Sequence, residues 1–374
     1  MAQPQVDHHQ RGIPMSDVSA TPRRPTRRLS TLLTLAVAAS VAALACSGTR
    51  DTGGDSTRAA SGASPAGKKV FTIAMIAKSS TNPVFLSGRV GAEAAAKELS
   101  QQHGVDVRID WLTPPTEDAA LQAQRIGQAA NSGAGAILLS ASEAAKLVGS
   151  INDAVDRGVP VMTFDSDVPQ SKRFAFYGGD DEAMGRQVME ELAKQMGDKG
   201  KVAILGGNQN APNLQKRVKG AKDEAAKHPG ITVLNTFYHQ ETPQDAAAEV
   251  ARVQNAYPDI QGWAMIGGWA LFTRALLTDL DAKRVKIVSV DALPAELPYV
   301  ERGLAPVLFA QPTYNWGYVS TKTIFDKVYL KKEVPAHVQM DLVRVSKENL
   351  GEWARQLKAW GFTDVDPKYL ALAK

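Results

Sequence analysis

The sequence predicts an α/β protein built on two parallel β-sheets, each covered by helices on both faces. Three observations lead there. Short apolar runs alternate with longer segments whose apolar residues fall three and four apart, which is the pattern of strands and amphipathic helices in βαβ units. Ten such runs follow residue 69, more than one sheet comfortably holds. Nearly every run stops at a polar side chain, as expected where the carboxyl ends of parallel strands carry ligand contacts.

The N-terminal elements read as an address and a tether. Arg11, Arg23, Arg24, Arg27 and Arg28 precede an uncharged stretch, LSTLLTLAVAASVAALA at 29–45, and then Cys46. A basic segment, an apolar core and small residues before a cut form the signature of a secretory signal. The run is short for a membrane span, which takes roughly 20 apolar residues, and an uncleaved anchor helix is the alternative. Cys46 is the only cysteine of the chain, so an internal disulfide is excluded. Its place after Ala43-Leu44-Ala45 resembles a bacterial lipobox, although Leu usually stands three residues before the cysteine, where Ala43 is found. The reading is a signal peptide over 1–46 with lipidation at Cys46, against a chance cysteine beside an ordinary cleavage site. Arg27-Arg28 leaves twin-arginine export open. Residues 47–69, rich in Ser, Gly, Thr, Asp and Ala, bury too little to fold and are expected to form a flexible linker.

The apolar runs are 70–77, 105–112, 136–140, 160–165, 174–178, 201–206, 231–238, 262–266, 286–291 and 307–311. Segments such as 182–195 and 245–256 between them read as helices. The strand ends give the candidate contacts. Ser80, Asn82 and Phe85 follow the first run, Asp165 ends the fourth, and Asn213 and Arg217 follow the sixth. Trp269 follows the eighth, while Asp291 and Gln311 close the ninth and tenth. Caps and turns account for some of these, since Asn, Asp and Ser favour such places. They do not account for Arg217, Trp269 and Gln311 in equivalent positions. Planar amides and carboxylates present fixed partners to hydroxyl groups, and an aromatic face covers the apolar face of a sugar ring. Such a mixture suits a cleft for a small polar ligand.

These residues resemble the periplasmic sugar-binding proteins of the ribose-binding type, relatives of the effector domains of LacI-like repressors. The resemblance runs from about Phe71 to Val345 and is carried by TIAMIAKSSTNPVF, GVPVMTFDSD, YPDIQGWAMIGG, KIVSVDA and FAQPTYNWGY. It implies a two-lobed clamshell with three crossovers. One lobe would comprise 70–179 plus 312–337, the other 180–311 plus 338–374. It also implies ligand contacts from Asn82, Phe85, Asp165, Asn213, Arg217, Asp291 and Gln311. Two positions depart from the ribose-type pattern: Ser166 stands where Arg is usual, and Gly267 where Asn is usual, with Trp269 nearby. They leave the class standing and the identity of the sugar open.

The function implied is capture of a monosaccharide for an ABC-type permease by hinge closure, in an exported, lipid-anchored, monomeric protein. A sensor subunit for a membrane receptor, or a non-sugar ligand such as a nucleoside, remains open. Enzymes fit less well. The six histidines, His8, His9, His103, His228, His239 and His337, have no metal-ligand spacing in the folded part, and no nucleophile elbow occurs. Gly62–Lys68 matches a phosphate-loop pattern only by chance, since Lys69 replaces Ser or Thr and a strand follows instead of preceding it. No cofactor or metal is expected. The formal net charge of +4 falls near zero without the five early arginines, which gives no basic surface for nucleic acid.

Overall fold

The computed structural model describes residues 68–275 and 277–373. The expected signal segment, Cys46 and the linker as far as residue 67 lie outside the described residues. Among the described residues no helix is long and apolar enough to cross a membrane.

All ten apolar runs form strands. The first sheet contains β1 (Val70–Ile76), β2 (Asp106–Trp111), β3 (Ala136–Leu139), β4 (Val161–Phe164) and β5 (Ala175–Gly178). The second contains β6 (Gly200–Gly206), β7 (Ile231–Tyr238), β8 (Ile260–Met265), β9 (Lys286–Val290) and β10 (Val307–Ala310). Two short strands complete them, β11 (His337–Gln339) in the first and β12 (Val343–Ser346) in the second. The strand orders are β11-β5-β4-β3-β1-β2 and β12-β10-β9-β8-β6-β7, so the two sheets repeat one topology. Every pair is parallel except β10 with β12.

Helices α1 (Pro83–His103), α2 (Ala119–Asn131) and α3 (Ala144–Asp156) connect the first strands, and α4 (Asp181–Gln195) crosses to the second sheet. There α5 (Pro212–Ala225), α6 (Pro243–Ala256) and α7 (Leu297–Glu301) follow. The chain returns in α8 (Thr313–Ile324), then ends with α9 (Leu350–Ala359) and α10 (Pro367–Leu370). β1 shows why these runs are apolar throughout. Ile73 and Met75 share a core with Ala92 and Leu99 of α1, whereas Ala74 and Ile76 share one with Ile126 of α2 and Ile151 of α3. Both faces are covered, so both sets of alternate residues are apolar.

The halves exchange one helix each. β5 leads into α4, which packs on α5, and β10 leads into α8, which packs on α1. Both helix pairs cross at glycine. A Cβ at Gly91 of α1 would lie 1.9 Å from the Tyr314 carbonyl oxygen, and one at Gly185 of α4 would lie 1.9 Å from the Arg217 carbonyl oxygen. Chain thus passes between the sheets three times: after β5, after β10, and between β11 and β12. Pairing of β11 with β5 places residues 338 and 339 in the first sheet, although they were expected with the second lobe. A strand of three residues with little burial gives no apolar run to read.

Candidate functional site

The two halves set one carboxylate each at the same structural position. Asp165 follows β4 and Asp291 follows β9, the fourth strand of each half. Both have left-handed backbone, at φ 56° and 77°, and their N–H groups donate to Tyr177 and Phe309 of the next strand. Such φ values are uncommon outside glycine, though Asp tolerates them better than most residues. The turn bends each side chain off its strand tip into the cleft.

One chain of contacts, an ion pair followed by hydrogen bonds, links these acids. Ser140 Oγ donates to Asp165 Oδ2 at 2.8 Å, and Asn213 Nδ2 to Asp165 Oδ1 at 3.3 Å. Arg217 Nη2 lies 3.9 Å from Asp165 and donates to Gln311 Oε1 at 3.0 Å. Gln311 Nε2 in turn donates to Asp291 Oδ1 at 2.8 Å, and the Gly268 N–H to Asp291 Oδ2 at 3.1 Å. Arg217 also bonds Asp181 Oδ1 at 2.8 Å and the Ile266 carbonyl. Asp165, Asn213, Arg217, Asp291 and Gln311 are all buried. Arg217 thus pairs with acids deep in the cleft.

Around this chain lies a cavity of about 20 Å³ lined by Asn82, Phe85, Asp165, Asn213, Arg217, Trp269, Asp291 and Gln311, with Lys78, Glu241 and Trp316 among the others. Eight of the nine sequence-derived contacts therefore meet at one place. Ser80 does not join them, because its N–H is tied to the Pro114 carbonyl and its side chain is absent from the lining. Asn82 is also the N-cap of α1, accepting from the Val84 N–H at 3.2 Å. Two wider clefts adjoin the centre, one of about 610 Å³ at Glu241 and one of about 1070 Å³ at Asn213.

Phe85 packs against Phe164 and Trp316, with ring centroids 6.4 and 5.6 Å away. Trp269 lies over Gly267, where a Cβ would come within 2.2 Å of Cζ3. The glycine at that position and the nearby indole thus go together: the ring fills the room that a side chain there would need. The Trp269 indole N–H is buried with no hydrogen-bond partner among the described residues. Trp263, by contrast, is core, fully buried with its N–H donated to Gln254.

Lys78 was missed by the sequence reading. It leaves β1 two residues after the strand end and is 2% exposed, yet among the described residues its ammonium makes a single hydrogen bond, to Asn213 Oδ1 at 3.5 Å. Glu117 stands 3.8 Å away. Burial disfavours the charge, but Glu241, Glu117 and Asp165 together outweigh it and hold the ammonium pKa above the usual lysine range. Lys78 and Arg217 thus bring positive charge to Asp165, while the neighbouring Ser166 Oγ is buried without a hydrogen-bond partner among the described residues. Burial likewise pushes the Asp291 carboxyl up, opposed by Gln311, Arg217 and the Gly268 N–H. Asp181 rises to about 6, since burial exceeds the pull of Arg217. Behind Asp291, Glu296 is wholly buried, and burial aided by the Asp291 charge raises its carboxyl well above the ordinary value.

Such a site can bind hydroxyl groups, and no grouping among the described residues could hold a metal ion. Residues 73–332 match the periplasmic binding protein domain. The chain is 27% identical over 241 residues to a D-ribose/D-allose-binding protein of Pseudomonas aeruginosa, covering 62% of this chain and 74% of that one. It is 24% identical over 281 residues to the ribose import binding protein RbsB of Escherichia coli, covering 74% of this chain and 91% of that one. Its fold matches an ABC transporter solute-binding protein from Burkholderia graminis, solved with D-arabinose, at a TM-score of 0.70 and 24% identity, over 75% of this chain and 96% of that one. Two repeated α/β halves meeting at an acid-lined cleft, and a domain match spanning most of the described residues, establish that the chain belongs to the periplasmic binding protein family.

Proposed function

We propose that the protein captures a monosaccharide between two lobes and delivers it to an ABC-type permease. The observation that carries this reading is the pair of strand-tip carboxylates, Asp165 and Asp291, brought from separate sheets into one chain of ion-pair and hydrogen-bond contacts. Relatives whose names specify ribose and allose support the substrate class. Asp165 and Asp291 accept from ligand hydroxyls, while Lys78, Asn213, Arg217 and Gln311 donate to ligand oxygens. Phe85 and Trp269 cover the ring, and Asn82 orients the first loop. A sugar entering the centre takes over bonds that the side chains make to one another, so its contacts to both lobes favour the closed arrangement.

The lobes are residues 70–179 with 312–339, and 180–311 with 340–374, moving about the three connecting segments. The protein acts as an exported monomer, held to a membrane by lipid on Cys46 and spaced from it by residues 47–69. It carries no catalytic role.

The test is a thermal-shift screen against pentoses, hexoses, polyols, nucleosides and amino acids. A ligand at about 100 times its dissociation constant adds roughly 2.7 kcal/mol of stability, a readily visible shift. Stabilisation by one or two sugars is the expected outcome. A response only to nucleosides or amino acids overturns the substrate, and silence throughout overturns the capture reading.

A further inference from the structure

Hydroxyl binding leaves one half-buried cluster unused, at the sheet edges farthest from the three connecting segments. Glu117 stands just before Asp118, the cap of α2, and Glu241 just before Thr242, the cap of α6. They therefore occupy corresponding places, one after β2 and one after β7. Their carboxyls come together across the cleft, both bonded to one residue. Asn208 joins them, its N–H donating to Glu241 Oε1 at 3.0 Å and its Nδ2 to Glu117 Oε2 at 3.2 Å. The second Glu117 oxygen, Oε1, is buried and accepts no hydrogen bond from the described residues. That oxygen stands 3.8 Å from the Lys78 ammonium. Two ionised carboxylates in this position repel each other, whereas one proton shared between them allows an O–H···O bond.

We propose that Glu117 and Glu241 form a proton-dependent latch across the lip of the cleft, engaged when the pair holds one proton and released when both are ionised. This rests on the hinge-closure reading above and adds a regulator to it. The ionisable groups around the pair are few. Lys78 faces both glutamates from the end of β1, with Asp165 and Arg217 near Lys78 in turn. His239 after β7 and Asp245 on α6 line the outer mouth. The placement gives the latch leverage, because small hinge rotations move the distal lip most.

The sign follows from proton uptake. Burial raises the Glu117 carboxyl, Lys78 opposes this and Glu241 adds to it, leaving it at about 8. Opening the lip returns it toward the ordinary glutamate range. Closing therefore takes up a proton, so the latch is fully engaged at low pH and is lost as pH rises toward about 8. Between these limits the closing equilibrium falls by up to about tenfold per pH unit.

The experiment measures lobe separation in the full chain without sugar. Spin labels are placed through Ala120→Cys on α2 and Gln244→Cys on α6, both exposed, with Cys46→Ser removing the native thiol. Between pH 5 and 9 the label distance should lengthen in this parent protein. Glu117→Gln should keep it short throughout, because the amide donates to Glu241 with no titrating proton. Glu241→Gln reads the same latch from the opposite lip should the first variant fail to fold. A distance independent of pH in the parent, or an unchanged pH response in both glutamine variants, overturns the latch. Because no sugar is present, a protein that binds none counts against the capture reading alone.

Discussion

Asp291 holds its carboxylate on a left-handed backbone, with Gln311 and the Gly268 N–H already bonded to its two oxygens. Removing it deprives a ligand of a charge-assisted acceptor and also frees Gln311 from its anchor. Asp291→Ala should weaken sugar binding by about 1.5–3 kcal/mol, the range for a hydrogen bond to a charged group, measured by calorimetry with the best sugar from the screen. Normal binding would place the site elsewhere. Lys78 differs in kind, because its ammonium has donors to spare. Lys78→Met should weaken the same sugar by about tenfold or more, roughly 1.4 kcal/mol, and unaltered affinity would remove Lys78 from the contacts. The two acids and Gln311 were legible in the sequence because each ends an apolar run. Lys78, Glu117 and Glu241 were not, since their meaning comes from meeting across two sheets, which no local pattern records. Ser80 shows the converse: it shares a polar loop with Asn82 but does not line the cavity, and its N–H is tied to Pro114.

Among the elements, the helix pairs do most to position the site. Gly185 of α4 touches the Arg217 carbonyl of α5, so the contact that closes this crossing is made by a site residue. Gly185→Ala should cost about 1–3 kcal/mol of stability by overpacking and should weaken ligand binding as α5 shifts with Arg217 and Asn213. Gly127→Ala on α2 is the control. Nothing lies within 4 Å of a Cβ there, and its effect should be neutral or stabilising by up to about 1 kcal/mol. Denaturant titration of both variants reads the difference, and equal stabilities would refute the tight crossing. The strands and most helices were readable because burial on both faces makes uniformly apolar runs. β11 and β12 were not, being three and four residues long and partly exposed.

At the scale of the molecule, the two halves repeat one strand order and place Asp165 and Asp291, Glu117 and Glu241 in corresponding positions. The sequence indicated two sheets, since ten runs exceed one, and its family resemblance supplied the three crossings. It could not reveal how far the last crossing lies along the chain, because that depends on a three-residue strand finding β5. The exchange of α4 and α8 between halves also bears on the order in which the protein can fold. The first half lacks its covering helix until residues 313–324 exist, and its edge strand until residue 339 exists. A chain emerging from its N-terminus therefore cannot complete either half early. It stays unfinished, with its two halves still interchanging chain, until nearly all of it has been made.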